Sequence, residues 1–188
     1  MAKGSDSRER TVAAAAKLFC RQGYHGTALH DILTASGAPR GSLYFHFPRG
    51  KEEIAEQAIA SGEKLVSEFI AHVAKTARSA ETFVVNLARG MAGRLEGSNY
   101  HEGCPLATTA LEIATASEAI GAATRKAFAA WEREIAQALR GFGISAKKAA
   151  PAATAILSQL EGALLLARTY QNLDPMRRAE EAMRLLVR

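Results

Sequence analysis

Residues 26–47 read Gly26-Thr27-Ala28-Leu29-His30-Asp31-Ile32-Leu33-Thr34-Ala35-Ser36-Gly37-Ala38-Pro39-Arg40-Gly41-Ser42-Leu43-Tyr44-Phe45-His46-Phe47. Two short helical segments flank Ser36-Gly37-Ala38, where Gly37 supplies the positive φ that a tight turn needs. Thr27 is a good N-cap for the first segment, which carries Leu29, Ile32 and Leu33. Pro39 opens the second, which runs to about His46. Leu43 and Phe47, four apart, pack inward and leave Arg40, Ser42, Tyr44 and His46 outward. This is the grammar of a helix-turn-helix, whose second helix enters the major groove of DNA. A scaffold helix at about Arg8–Gln22 supports it, with Val12, Ala15, Ala16 and Phe19 as its apolar stripe and Gly23 past its end.

The residue types suit a nucleic-acid contact. Free N–H groups after Thr27 can hold a phosphate at a helix start. The Tyr44 hydroxyl can donate to a phosphate oxygen, and Lys51 adds a cation at the next helix start. Arg40 can make a paired contact to guanine O6 and N7, with a plain phosphate contact as the alternative. His46 reads as structural or backbone-contacting before base-reading. Ala38, Pro39 and Ser42 complete the candidate set. The competing account is a generic helical core with Tyr44 and His46 as surface aromatics, and His25 and His30 read as ordinary surface residues.

The rest of the chain agrees with a helical protein. Of 188 residues, 39 are alanine, the best helix former, while β-branched and aromatic residues are sparse. Apolar residues at 48% and charged residues at 23% exclude a disordered chain. The net charge of +5 is compatible with a nucleic-acid partner without demanding one. Cys20 and Cys104 form no framework and read as reduced thiols of a cytoplasmic protein. The start, Met1 to Asp6, has no apolar region of a signal peptide. The longest uncharged run, Ala149 to Leu160, is too short to predict a membrane span. The five prolines mark helix starts and stops. Further helices are predicted at about 51–78, 80–96, 105–115, 118–141, 146–172 and 175–187, and no period-2 strand is found.

Residues 149–170 carry only Glu161 and Arg168 as charges. A helix apolar nearly all round needs cover on two sides. A second copy of the chain is the simplest cover for one of them. The predicted dimer interface joins Leu157, Leu160, Leu164 and Arg168 to Met176 and Met183 of the last helix, as a two-fold four-helix arrangement. The alternative is that both helices cap a monomer's core. A second apolar population includes Phe69, Phe83, Leu87, Met91, Leu95, Leu106, Leu111, Phe128, Trp131 and Ile135. Packed core is its default reading, although Gly90 and Gly93, mid-helix, hint at room for something else. His101, Glu102 and Cys104 make an incomplete metal site, and no metal or cofactor is expected. No catalytic triad, P-loop or GxGxxG is present, so no enzyme is expected.

The N-terminal stretch resembles the TetR family of bacterial repressors. The family pattern is met by Thr27, Asp31-Ile32, Gly37, Arg40-Gly41-Ser42-Leu43-Tyr44-Phe45-His46-Phe47 and Lys51-Glu52. The match covers about Arg8 to Ile54. Where the commoner form has Phe-Pro-x-Lys-Glu, Phe47-Pro48-Arg49-Gly50-Lys51-Glu52 has an extra glycine. With Gly103-Cys104-Pro105-Leu106, this looks like the branch of lincomycin-resistance and flavonoid-responsive repressors. The resemblance implies an all-α fold, with a three-helix helix-turn-helix domain at 1–50 and a helical effector-binding and dimerisation domain at 51–188. It implies a homodimeric regulator that holds a palindromic double-stranded DNA operator and is released by a small hydrophobic effector. Release would come as the long helix from Lys51 carries the DNA-binding domains out of groove spacing. The effector cavity it implies would be lined by Phe69, Phe83, Leu87, Met91, Phe128 and Trp131. Asn86, Tyr100, Cys104, Thr108 and Gln159 are its polar candidates. The alternative is a helical small-molecule-binding protein or enzyme that has lost DNA binding.

Overall fold

The computed structural model describes residues 2–188, and side chains other than those of residues 2–6, Arg40 and Ser42. Among the described residues every regular element is an α-helix, so the fold class is all-α as expected. The helices are α1 (Ala2–Gln22), α2 (Leu29–Ser36), α3 (Arg40–His46), α4 (Lys51–Thr76), α5 (Ala80–Gly97), α6 (Ala107–Ile113), α7 (Glu118–Gly141), α8 (Ala146–Tyr170) and α9 (Asp174–Leu186). The predicted starts and stops agree within a few residues, except that α1 begins six residues early. Pro151 lies inside α8 and not at its start. It sits little more than a turn from the N-terminus, where one missing N–H disturbs few intrahelical bonds.

The chain forms two compact units, residues 1–64 with 104–127, and residues 65–103 with 128–188. These units group the chain differently from a cut after residue 50. The first unit takes in the start of α4, all of α6 and the start of α7, because α1 packs on α6 as well as on α2. Its buried apolar residues include Ala15, Phe19, Ile32, Leu43, Phe47, Ile54 and Ile59.

The second unit is built from α5, α8 and α9 with the later parts of α4 and α7. Phe83, Leu87, Leu95, Trp131, Ile135 and Leu139 are fully buried. The α8 stripe Ala149, Ala153, Ile156, Leu160, Ala163, Leu164 and Ala167 is buried with them. Met176, Ala179 and Met183 of α9 are also buried within the single chain. The predicted interface residues Leu160, Leu164, Met176 and Met183 are therefore already covered by their own chain. The reason is that α9 lies against both α5 and α8. A different set stays open on α8 and α9: Leu165, Leu166 and Tyr170, with Leu185 and Leu186. Helix α8 is long and apolar enough, by length and composition, to cross a bilayer. Packing of its buried stripe against α5 and α9 accounts for part of that apolarity, while Leu165 and Leu166 remain open.

Candidate nucleic-acid interface

The turn between α2 and α3 is made as its sequence dictates. Gly37 has φ 63° and ψ 19°, and its N–H donates to the Thr34 carbonyl. The Ser36 hydroxyl accepts from the Ala38 N–H at 3.2 Å and donates to the Leu33 carbonyl at 3.1 Å. Pro39, extended at φ −62°, is the N-cap of α3. On the other side of the turn, the Arg10 side chain of α1 donates to the Ser36 carbonyl at 3.3 Å. These bonds satisfy backbone groups that a tight turn would otherwise leave unpaired.

The N-cap of α2 is Ala28, not Thr27. Asp31 closes this end by accepting the Ala28 N–H at 3.0 Å. Thr27 is fully buried, and its hydroxyl donates to the Gly23 carbonyl at 2.7 Å. Thr27 thus staples the α1–α2 turn and offers nothing to a ligand, which corrects its reading as a contact residue.

Leu43 of α3 and Phe47, its C-cap, are buried as expected. The Arg8 guanidinium of α1 lies 5.8 Å from the Phe47 ring centre. Tyr44 is 64% exposed, Pro39 is exposed, and Ala38 and His46 are half-buried. The backbone of Arg40 and Ser42 lies in α3, while their side chains fall outside the described ones. Phe45, which the outward set omitted, is 83% exposed. Helical spacing signals it, because it is on the side away from Leu43.

The extra glycine has a local cause. Gly50 takes φ +61° and donates to the Phe47 carbonyl at 2.8 Å, closing the turn that delivers Lys51 as the first residue of α4. Lys51 Nζ then sits 4.2 Å from the Tyr24 ring centre. Partial burial lowers the Lys51 pKa below the usual lysine value, and the nearby Glu112 carboxylate opposes the shift. Burial, with Glu52 close by, raises the Tyr24 phenol. Lys51 is therefore half-buried on an aromatic face and not the free cation expected at a helix start. Arg49 pairs with Glu56 through both nitrogens, at 2.6 and 2.9 Å.

Sequence reasoning missed Glu112. From α6 it accepts the His25 N–H at 2.7 Å, and its carboxylate fills the space beside Gly23 where a side chain would stand. Ser117, just before α7, donates to Glu52 of α4 at 2.5 Å. No motif marks either residue, since both contacts cross long sequence separations.

Most of the expected effector residues fall in the second unit, while Cys104 and Thr108 belong to the first. Phe83, Leu87 and Trp131 are fully buried, and Phe128 meets Trp131 edge-on at 5.4 Å. Phe69, Met91 and Tyr100 are half-buried. The space beside Gly90 is filled by the Phe69 ring, so that glycine serves a close packing contact. Two polar candidates lie toward the surface. Asn86 lines a shallow groove of about 250 Å³ with Ser79, Glu81, Thr82, Val85, Arg89 and Arg184, and Gln159 is exposed on α8. Leu111 is 85% exposed, not part of a core. Cys104 is buried and its Sγ accepts the Leu106 N–H at 3.4 Å, and Thr108 is half-buried. Leu157 and Arg168 of the predicted interface are half-buried, with the Arg168 side chain close to Gly103.

Two short helices joined at a left-handed glycine and buttressed by α1 define the chain as a helix-turn-helix protein. Residues 12–58 match the model of bacterial regulatory proteins of the tetR family, and residues 80–182 match that of LmrA/YxaF-like transcriptional regulators, C-terminal domain. The chain is 33% identical to the HTH-type transcriptional regulator LmrA of Bacillus subtilis, over 91% of each chain. It is 33% identical to the uncharacterised HTH-type transcriptional regulator YxaF of the same organism, over 100% of this chain and 98% of that one. A crystal structure of a TetR transcriptional regulator from Chloroflexus aurantiacus superposes with a TM-score of 0.82 at 28% identity, covering 98% and 96% of the two chains. The chain belongs to the TetR family of bacterial transcriptional regulators, in its LmrA/YxaF-like branch. It is a DNA-binding regulator and not an enzyme.

Proposed function

We propose that this regulator is a cytoplasmic homodimeric repressor, that it holds a palindromic operator through α3 of each subunit, and that a small hydrophobic effector releases it. The observation that carries the DNA-binding part is the division of α3, with Leu43 and Phe47 buried and Tyr44 and Phe45 open. The two adjacent open rings beside the turn offer an apolar surface on which a partner can dock. Tyr44 then donates to a phosphate, and Arg40 and Ser42 lie at the start of α3, where base edges come within reach.

The open apolar residues of α8 and α9 support a two-fold interface, with Leu165, Leu166 and Tyr170 at its centre. Two DNA-binding domains related by that axis read half-sites one helical turn or a multiple apart. The apolar population that includes Phe128 and Trp131 supports a hydrophobic effector. Helix α4 contributes residues to both compact units, which makes it the element through which effector binding would bias the DNA-binding part. A domain division at residue 50 remains our reading of where DNA contact ends and effector response begins.

Selection of duplexes from a random pool by the full-length protein tests the reading. The expected product is a two-fold-symmetric sequence whose affinity falls steeply with salt. Recovery of no sequence, or of a single unrepeated half-site bound by a monomer, would overturn it.

A further inference from the structure

We infer that Phe45 is a specificity-determining residue whose ring reads the C5-methyl group of a thymine in each half-site. The inference rests on the proposed seating of α3 in the major groove. Phe45 is 83% exposed, while Leu43 on the same seven-residue helix is 3% exposed and Phe47, the C-cap just past its end, is 1% exposed. At 100° per residue, Phe45 lies about 160° round the helix from the buried Leu43, so it is on the outward side of α3. Gly41 lies one turn earlier on that side, and a Cβ built there would meet nothing within 4 Å. On that side of α3 a glycine is thus followed, one turn on, by an aromatic ring. The ring is held against His46 in edge-on contact at 5.2 Å.

Chemistry selects the target. Phenylalanine has no donor or acceptor, so it gains little from a phosphate oxygen or from the polar edges of guanine, cytosine and adenine. The thymine methyl is the apolar group the major groove displays. Gly41 lets the backbone approach closely enough for the ring of Phe45 to reach it, since no side chain intervenes on that line.

The test replaces each thymine of the selected operator by deoxyuridine in both half-sites at once, a change that removes one methyl group and no hydrogen bond. Binding of full-length protein is read by fluorescence anisotropy, for the native chain and for Phe45→Ala. One symmetric thymine pair should weaken native binding about fourfold per half-site, or about fifteenfold for the pair, the scale of one methyl withdrawn from contact. In Phe45→Ala the same replacement should have no effect, while thermal unfolding matches the native chain. Absence of any sensitive thymine in an operator that the native chain binds would overturn the inference alone. So would a penalty that persists undiminished in Phe45→Ala. Failure to select any duplex would overturn the seating of α3 and the inference with it.

Discussion

Glu112 shows how much a single side chain can tie together. Its carboxylate accepts the His25 N–H and occupies the space beside Gly23, whose φ of +77° a residue with a side chain adopts only with strain. Gly23→Ala should cost about 1–3 kcal/mol, because it strains the backbone and displaces the carboxylate together. Urea unfolding checks this. In a Glu112→Ala background the same glycine substitution should cost less, since only the backbone part remains, and the difference measures their coupling. Lys51 and Tyr24 yield a second outcome at this scale. The folded Lys51 pKa lies below 10.5, so as pH rises between the lowered value and 10.5 the folded state loses the proton first and stability increases. The raised Tyr24 pKa acts in the other direction, giving stability that is lost as pH climbs past 10.0. Lys51→Met removes the first effect and keeps the second. Unfolding midpoints followed from neutrality to 10.5 should therefore fall more steeply in Lys51→Met than in the native chain. At the DNA, Arg40→Ala should relax preference at one base position at a cost of about 1–3 kcal/mol, read from a mutated-operator panel.

Elements show which parts of this fold a sequence can carry. Helices α2 and α3 were legible almost to the residue, because Gly37, Pro39 and the Leu43–Phe47 spacing are local signals that act within one or two turns. The N-cap of α2 was not, since Thr27 and Asp31 compete for the same end and a carbonyl four residues back captures the threonine hydroxyl. The direction of α9 also escaped. Its stripe of Met176, Ala179 and Met183 is plain in the sequence, but periodicity tells which face is buried and not which neighbour buries it. Lys51 failed for a similar reason: its partners Tyr24 and Glu112 are brought to it by packing of α1 and α6. A substitution separates docking of α3 from its contacts. Phe47→Ala removes a fully buried ring and should cost about 3–5 kcal/mol of stability. Operator affinity should fall with it even though Phe47 touches no DNA in the proposed arrangement. Denaturant unfolding and anisotropy on the same preparation would show both losses.

In the proposed arrangement, regulation depends on joining two DNA-binding domains, and the exposed apolar residues of α8 and α9 are where we place the junction. Leu165 is 62% exposed and Tyr170 is 60% exposed, so in a lone chain they contribute little to stability. Met183, on the neighbouring α9, is completely buried in its own chain. A charge at each position should therefore do different things. Leu165→Glu should leave the melting of the chain nearly intact and shift sedimentation from dimer to monomer, because it desolvates a carboxylate only when two copies meet. Operator affinity should drop by at least about 100-fold, the advantage of binding two half-sites through one body. Met183→Glu should instead lower thermal stability severely, since it buries an unpaired charge between α9 and its own neighbours. If Leu165→Glu remained a dimer with full operator affinity, the two-fold axis would have to run through another surface. The half-site spacing argued from α8 and α9 would then lose its basis, whereas the helix-turn-helix and its reading of single half-sites would stand.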